Sequence, residues 1–236
     1  MVIVFGAGFA FLGVGSGGLD LGQLVRDAFG AKGSSGTSIS KALKDVNKHP
    51  REARGYKVLA DAYERKGQTT NAVSALQQYV ALAPKDATQL ARLARLQAGQ
   101  ARTALQDAQL AFAEQQYALA GQTFSPPQTS GFGQALGQDP ITSAISTKVS
   151  AKTQAATSRY QTESAAALAT FQKLTKVRGD QSSYFELARF AEEFQNAPVA
   201  VQAYKKLLPL VSDAATKRSI RSRIAALKAA SPKAGG

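Results

Sequence analysis

The chain has no cysteine, no tryptophan, one methionine and one histidine among its 236 residues. Without cysteine there is neither a disulfide framework nor a thiolate metal site, and no redox compartment is excluded. The lone histidine, His49 in "NKHPREA", rules out histidine-rich metal sites and the triads that draw on several histidines. Lying just before Pro50, it reads as an ordinary surface imidazole. The period-two alternation of half-buried strands is also missing, so a sheet has nothing to be built from. Acidic residues are outnumbered 29 to 16 by Lys and Arg, leaving a net charge of +13. Residues 201–236 hold eight of those basic residues against Asp213 alone, whereas residues 101–200 hold eight of each sign.

Long apolar runs are scarce too, with one exception at the start. Residues 2–14, "VIVFGAGFAFLGV", carry no polar side chain. A β-branched run followed by Gly6-Ala7-Gly8 also opens dinucleotide-binding domains, but that fold needs further strands and none follow. A bilayer core requires about 20 helical residues, so residues 1–18 read as an apolar membrane segment short of a full span. No basic residue stands before it, and an upstream basic leader is therefore expected. Residues 19–37 read as a Gly/Ser-rich tether.

From Ser38 onward apolar residues recur every three or four positions, as in "YKVLADAYERKG" and "NAVSALQQYVALAP", which is the helix period. Pro50 and Pro84 lie 34 residues apart. Between them the pattern runs Tyr56, Leu59, Ala60, Tyr63, Gly67, Ala72, Leu76, Tyr79. Small residues suit the point where two helices cross, and Gly67 suits a left-handed helix stop. The spacing returns at Tyr184, Leu187, Ala188, Ala191, Ala200, Tyr204 and Leu207, with Gln195 in place of the turn glycine. Pro198 falls in the first turn of the second helix there, where proline is tolerated. Ala167, Phe171 and Leu174 echo the spacing once more.

This pattern resembles the tetratricopeptide repeat. The expected fold is all-α: a tetratricopeptide-like helical-hairpin solenoid with an elongated central hairpin, preceded by the N-terminal apolar segment. The helical domain is expected over residues 38–229. It comprises a repeat at 51–84, an extended hairpin at 87–178 with a loop at 121–141 (a globular bundle of the same helices is the alternative), a repeat at 182–212 and a capping helix at 213–229, with a disordered tail at 230–236.

The resemblance implies a non-catalytic scaffold that binds another protein or peptide along a concave groove, with no cofactor and no metal. The groove is expected to be lined by Arg54, Lys57, Asp61 and Glu64, followed by Arg92 and Arg95, and to favour acidic peptides. The carboxylate clamp of some family members does not carry over: Lys57 fits its lysine, but Asp61 stands where an asparagine belongs, and the later unit offers Phe185 and Glu186 instead of basic residues. The carboxylates Asp61, Glu64, Glu192 and Glu193 are expected on solvated faces with partners one helical turn away. Phe124, Phe132 and Leu136 in the loop are expected to fold back on the hairpin. Lys217, Arg218, Arg221, Arg223 and Lys228 offer a second reading, contact with anionic lipid; nucleic acid ranks lower because no aromatic platform accompanies the charge. A nucleotide-binding enzyme, resting on Gly6 and Gly8, is the remotest alternative. A short apolar start with the body behind it, on the supposition of that basic leader, places the repeats outside the cytoplasm, in a bacterial envelope; Arg26 and Lys32, which follow the segment, argue the reverse orientation when the positive-inside bias is taken alone.

Overall fold

The computed structural model describes residues 37–120, 131 and 140–230. The expected membrane segment, nearly all of the tether, the loop residues Phe124, Phe132 and Leu136, and residues 231–236 lie outside the described residues. Among the described residues every regular element is helical. In order these are α1 (Ile39–Lys48), α2 (Ala53–Arg65), α3 (Thr69–Leu82), α4 (Ala87–Ala120), α5 (Pro140–Arg178), α6 (Gln181–Glu193), α7 (Ala197–Leu207), a 3₁₀ turn (Leu208–Leu210) and α8 (Ala214–Ala230). No described helix is long and apolar enough to cross a membrane.

Local chemistry explains where the helices start. The first backbone N–H groups of a helix have no partner within it, and a short polar side chain can accept from them. Ser38 caps α1 through the Lys41 N–H. Asp86 accepts from Thr88 and Gln89 at 3.0 and 3.1 Å ahead of α4. Asp180 accepts from Ser183 at 2.9 Å, Asn196 from Val199 at 3.3 Å and Asp213 from Thr216 at 2.6 Å. Asp86 also receives the Tyr79 hydroxyl at 2.7 Å, which ties the end of α3 to the start of α4. That hydrogen bond, together with the two backbone donors, holds the Asp86 carboxyl below its ordinary range.

The helix stops are equally local. At the end of α2, the Gln68 N–H reaches back to the Tyr63 carbonyl and the Gly67 N–H to Glu64, which requires a left-handed residue, and Gly67 has φ 69°. The end of α6 repeats the geometry with Asn196 to Ala191 and Gln195 to Glu192. Gln195 supplies the left-handed residue there, at φ 56°. A side chain in that conformation costs about 1 kcal/mol relative to glycine. Gln195→Gly is therefore expected to stabilise the fold by up to about 1 kcal/mol, and Gly67→Ala to destabilise it by a similar amount. Urea titration of the two variants checks the opposite signs; a loss of stability in Gln195→Gly would contradict the assignment.

Packing turns these helices into hairpins. α2 pairs with α3, α6 with α7, and α4 with α5, while α1 lies on α2 and α8 on α7. Alanines with no exposed surface sit in the core where the helices meet: Ala60, Ala72, Ala94, Ala188, Ala191 and Ala200. Leu59, Leu76, Leu90, Leu174 and Leu207 fill the space around them. A continuous core runs from Ala42 of α1 to Ile220 of α8. Ile224 and Leu227 pack against it from α8, which covers the end of the stack.

The α4/α5 hairpin is much longer than its neighbours. At about 1.5 Å per residue α4 is about 50 Å long, whereas α2 has only 13 residues. Its outer part has a stripe of small residues on α4, Ala101, Ala104, Ala108 and Ala111, of which Ala101, Ala104 and Ala111 are buried. The alternating spacing of three and four residues is that of a coiled-coil stripe. The Thr153 hydroxyl donates to the Ala111 carbonyl across the seam at 3.1 Å, a contact that only close backbones permit. At the solenoid end the seam gains larger residues, among them Phe171, whose ring packs 5.1 Å from that of Phe190 in α6.

Candidate functional site: a helical face crossed by ion pairs

The first helices of successive hairpins, α2, α4 and α6, lie side by side and present charged faces to one another; α8 continues the series. Arg92 of α4 reaches back to α2, with Nη1 2.6 Å from Asp61 and Nε 2.9 Å from Glu64. Arg95 meets Glu186 of α6 at 2.6 Å. Arg102 makes a bidentate pair with Glu193 at 2.6 and 2.7 Å. At the last joint Arg223 of α8 pairs with Glu192, which also accepts the Tyr204 hydroxyl at 2.8 Å.

These contacts correct the expectation that the carboxylates find partners on their own helices. The cation one turn beyond Asp61 is Arg65, and its guanidinium donates instead to the Thr37 carbonyl at 3.0 Å. Stacking places the arginine of the next hairpin closer than any residue a turn away. The guanidinium group is planar with several donors, and Arg92 and Arg102 each use two of its nitrogens across a joint. Hydrogen bonds from Arg102 hold the Glu193 carboxyl below its ordinary range. The stability linked to that depression is present above the unfolded carboxylate range and is lost as pH falls through the lowered folded value.

The alkaline side has its own signature. Tyr204 is buried and hydrogen-bonded to a carboxylate, and both effects oppose ionisation, burial more strongly, so its pKa is pushed up to about 12. A folded value above the unfolded one means that the linked stability is complete below about pH 10 and is lost between about 10 and 12. The expected outcome is a steeper fall of unfolding free energy over that window in the native chain than in Tyr204→Phe. Parallel slopes would show that the phenol titrates as it does in the unfolded chain.

The residues singled out from the sequence fall into three groups. Arg54 and Lys57 stand exposed on the first two turns of α2. Asp61, Glu64, Arg92 and Arg95 are brought together across the α2/α4 and α4/α6 joints, already paired. On α8, Arg218, Arg221 and Lys228 are exposed and Lys217 is half-buried, while Arg223 is engaged by Glu192. His49 ends α1 on the surface with Nδ1 3.4 Å from Glu52. Among the described residues no cluster of three His, Cys, Asp or Glu could hold a metal ion.

One residue of the face stands outside the expected groove lining, although the sequence places it on the same helix face. Phe185 of α6 is 46% exposed and lies where two open clefts adjoin. One, about 570 Å³, runs between α6, α7 and α8 past Tyr204, Ile220 and Arg223. The other, about 320 Å³, runs between α4 and α6 past Arg95, Arg102 and Phe190. The Arg189 guanidinium sits over the Phe185 ring, 5.7 Å from its centre. The available signal was positional: Phe185 takes the place in its helix that Lys57 holds in α2, an outward position where an aromatic side chain has no packing role.

These features define an all-helical repeat protein of tetratricopeptide-like hairpins. No family model matches the chain, and no curated protein matches it. Among solved structures it is similar to a thermophilic tetratricopeptide-repeat protein of Thermus thermophilus. The two share 14% identity over 81% of this chain and 89% of that one, with a TM-score of 0.25. So loose a superposition places none of the helices or side chains described above.

Proposed function

We propose that the chain is a non-catalytic scaffold, tethered to a membrane by residues 1–18, whose concave face holds a segment of another protein. The observation that carries this reading is Phe185, an exposed aromatic ring between two clefts whose walls hold Arg95, Arg102, Arg189 and Arg223. A partner segment with one apolar side chain for the Phe185 cleft and a carboxylate beside it fits that lining. Arg54 and Lys57 extend the same cationic character to the N-terminal end of the face. Because the bridging arginines are already matched by acids, shape and the aromatic anchor supply more of the selectivity than net charge does.

A photoreactive amino acid placed at Phe185 in cells tests the reading against the same group at Gln78, exposed on α3. The expected result is a discrete adduct at Phe185, absent at Gln78 and lost in an Arg189→Glu background. Equal labelling at both positions, or none, would overturn it. The tether is tested by carbonate extraction, with retention in the membrane fraction expected. The proposed placement outside the cytoplasm is tested by protease digestion of a C-terminal tag on cells stripped of their outer wall.

A second reading rests on α8, where Arg218, Arg221 and Lys228 are exposed and have no ion-pair partner among the described residues. Near an anionic bilayer each such residue is worth about 1 kcal/mol. Sedimentation with phosphatidylserine vesicles that is abolished by moderate salt is the outcome this reading requires.

A further inference from the structure

α1 stands in the stack where the second helix of an earlier hairpin would stand. It packs on α2 as α3 packs on α4, and its buried Ala42 and Val46 lie 34 positions before Leu76 and Val80 of α3, which are buried in the same way. In α3 Ala75 belongs to the core as well. The corresponding position of α1 holds Lys41, which is exposed.

Lys41, Lys44 and Lys48, spaced three and four residues apart, share the face of α1 opposite Ala42 and Val46. All three are exposed and without an ion-pair partner among the described residues. Asp45, the one acid of α1, turns toward α2 instead: its Oδ2 lies 3.5 Å from the point that a side-chain carbon on Gly55 would occupy. Arg51, exposed in the turn that follows, adds a fourth cation. A helix that merely ends a stack needs polar residues of either sign. This outward face carries one sign only.

The place of α1 in the chain selects the anion. Nucleic acid is bound with aromatic side chains on which bases stack, and residues 37–55 contain no Phe, Tyr or Trp. An acidic peptide needs a cleft to hold it, and the two clefts beside Phe185 are walled by α4 to α8, away from α1. A bilayer needs neither. Residues 1–18 are proposed above to lie in one, and residues 19–37, even fully extended, cover at most about 65 Å. Confinement within that distance raises the effective concentration of headgroups at α1. Each lysine close to an anionic surface then multiplies the attraction about fivefold.

We propose, resting on that tether, that α1 lies with its Lys41, Lys44 and Lys48 face on the anionic headgroups of the membrane, so that the hairpins stand away from the bilayer and α8 closes the distal end. The chain has no cysteine, so Asn47→Cys and Ala225→Cys, exposed on α1 and α8, each give a single site for a dye. Full-length protein is placed in phosphatidylcholine vesicles with or without phosphatidylglycerol, and energy transfer to a headgroup acceptor is measured. Phosphatidylglycerol is expected to raise transfer from position 47 and not from position 225, and moderate salt to reverse the rise. Joint replacement of Lys41, Lys44 and Lys48 by Gln is expected to weaken the attraction about a hundredfold and abolish the rise, with helix content unchanged because all three are exposed. Joint replacement of Arg218, Arg221 and Lys228 by Gln is expected to leave it intact. Transfer from position 47 that ignores lipid charge or the three lysine substitutions overturns the proposal, as does an equal or larger rise at position 225. Flotation with neutral vesicles in high salt reads the tether separately. For a chain that fails to float there, flotation with phosphatidylglycerol vesicles in low salt decides: capture lost with the three lysines supports the lysine face, and capture equal in both chains, or absent from both, overturns it.

Discussion

Leu76→Ala is expected to lower the unfolding free energy by about 3 kcal/mol or more. Leu76 has no exposed surface and belongs to the cluster that holds Leu59, Ala60, Val73 and Leu90, so its side chain fills space shared by α2, α3 and α4. Truncation removes the burial of its isobutyl group and leaves a cavity that helices anchored on both sides close only in part. In a stack of hairpins each unit buries its face only against its neighbours, so the defect acts on two joints at once. Urea unfolding followed by helix signal checks the size of the effect. Hydrogen exchange is expected to show the loss concentrated in α2, α3 and the start of α4. A cost below about 1 kcal/mol would mean that the surrounding helices collapse into the space, contrary to a tightly packed joint.

Ala60→Leu is the opposite perturbation at the same joint and is expected to destabilise by about 1–3 kcal/mol. Alanine and leucine are both strong helix formers, so the substitution leaves local propensity almost unchanged and isolates packing. Ala60 has no exposed surface, and the added carbons must displace either α3 or the side chains beside it. Ala81→Leu, exposed near the end of α3, is the matched control and is expected to stay within about 0.5 kcal/mol of the native chain. Thermal unfolding of the two variants separates them. Equal midpoints would show that the α2/α3 crossing has room the structure does not contain.

Much of the all-helical architecture was legible because its signals are local. The period of Tyr56, Leu59, Ala60 and Tyr63 and the glycine at position 67 act within one or two turns of chain. The caps Asp86, Asp180 and Asp213 act in the same way. A further signal was present and unused: Leu59-Ala60, Leu93-Ala94 and Leu187-Ala188 repeat one dipeptide at the buried crossing of α2, α4 and α6. The first two lie 34 residues apart, which marks α4 as the first helix of a repeat directly, without reference to its length.

The candidate site was legible only as a set of faces. Arg54, Lys57, Asp61, Glu64, Arg92 and Arg95 follow from helix phase, and the structure puts them on α2 and α4. Which acid each arginine meets could not be read, because Arg92 pairs 28 and 31 positions away and Arg102 pairs 91 positions away. That Phe185 stands between two clefts was hidden for a related reason. One of those clefts is walled by α8 and the other by α4, helices far from position 185 in the chain.

By itself the sequence determined the helical class, the caps and stops, the hairpin unit and the alanines at its crossings. Each of these follows from the backbone preferences and side-chain sizes of a few neighbouring residues. Only the tertiary structure decided that the acids of one hairpin are neutralised by the arginines of the next and that Phe185 stands open between two clefts. Those properties depend on the distances between helices far apart in the chain, and stacking, not local propensity, sets those distances.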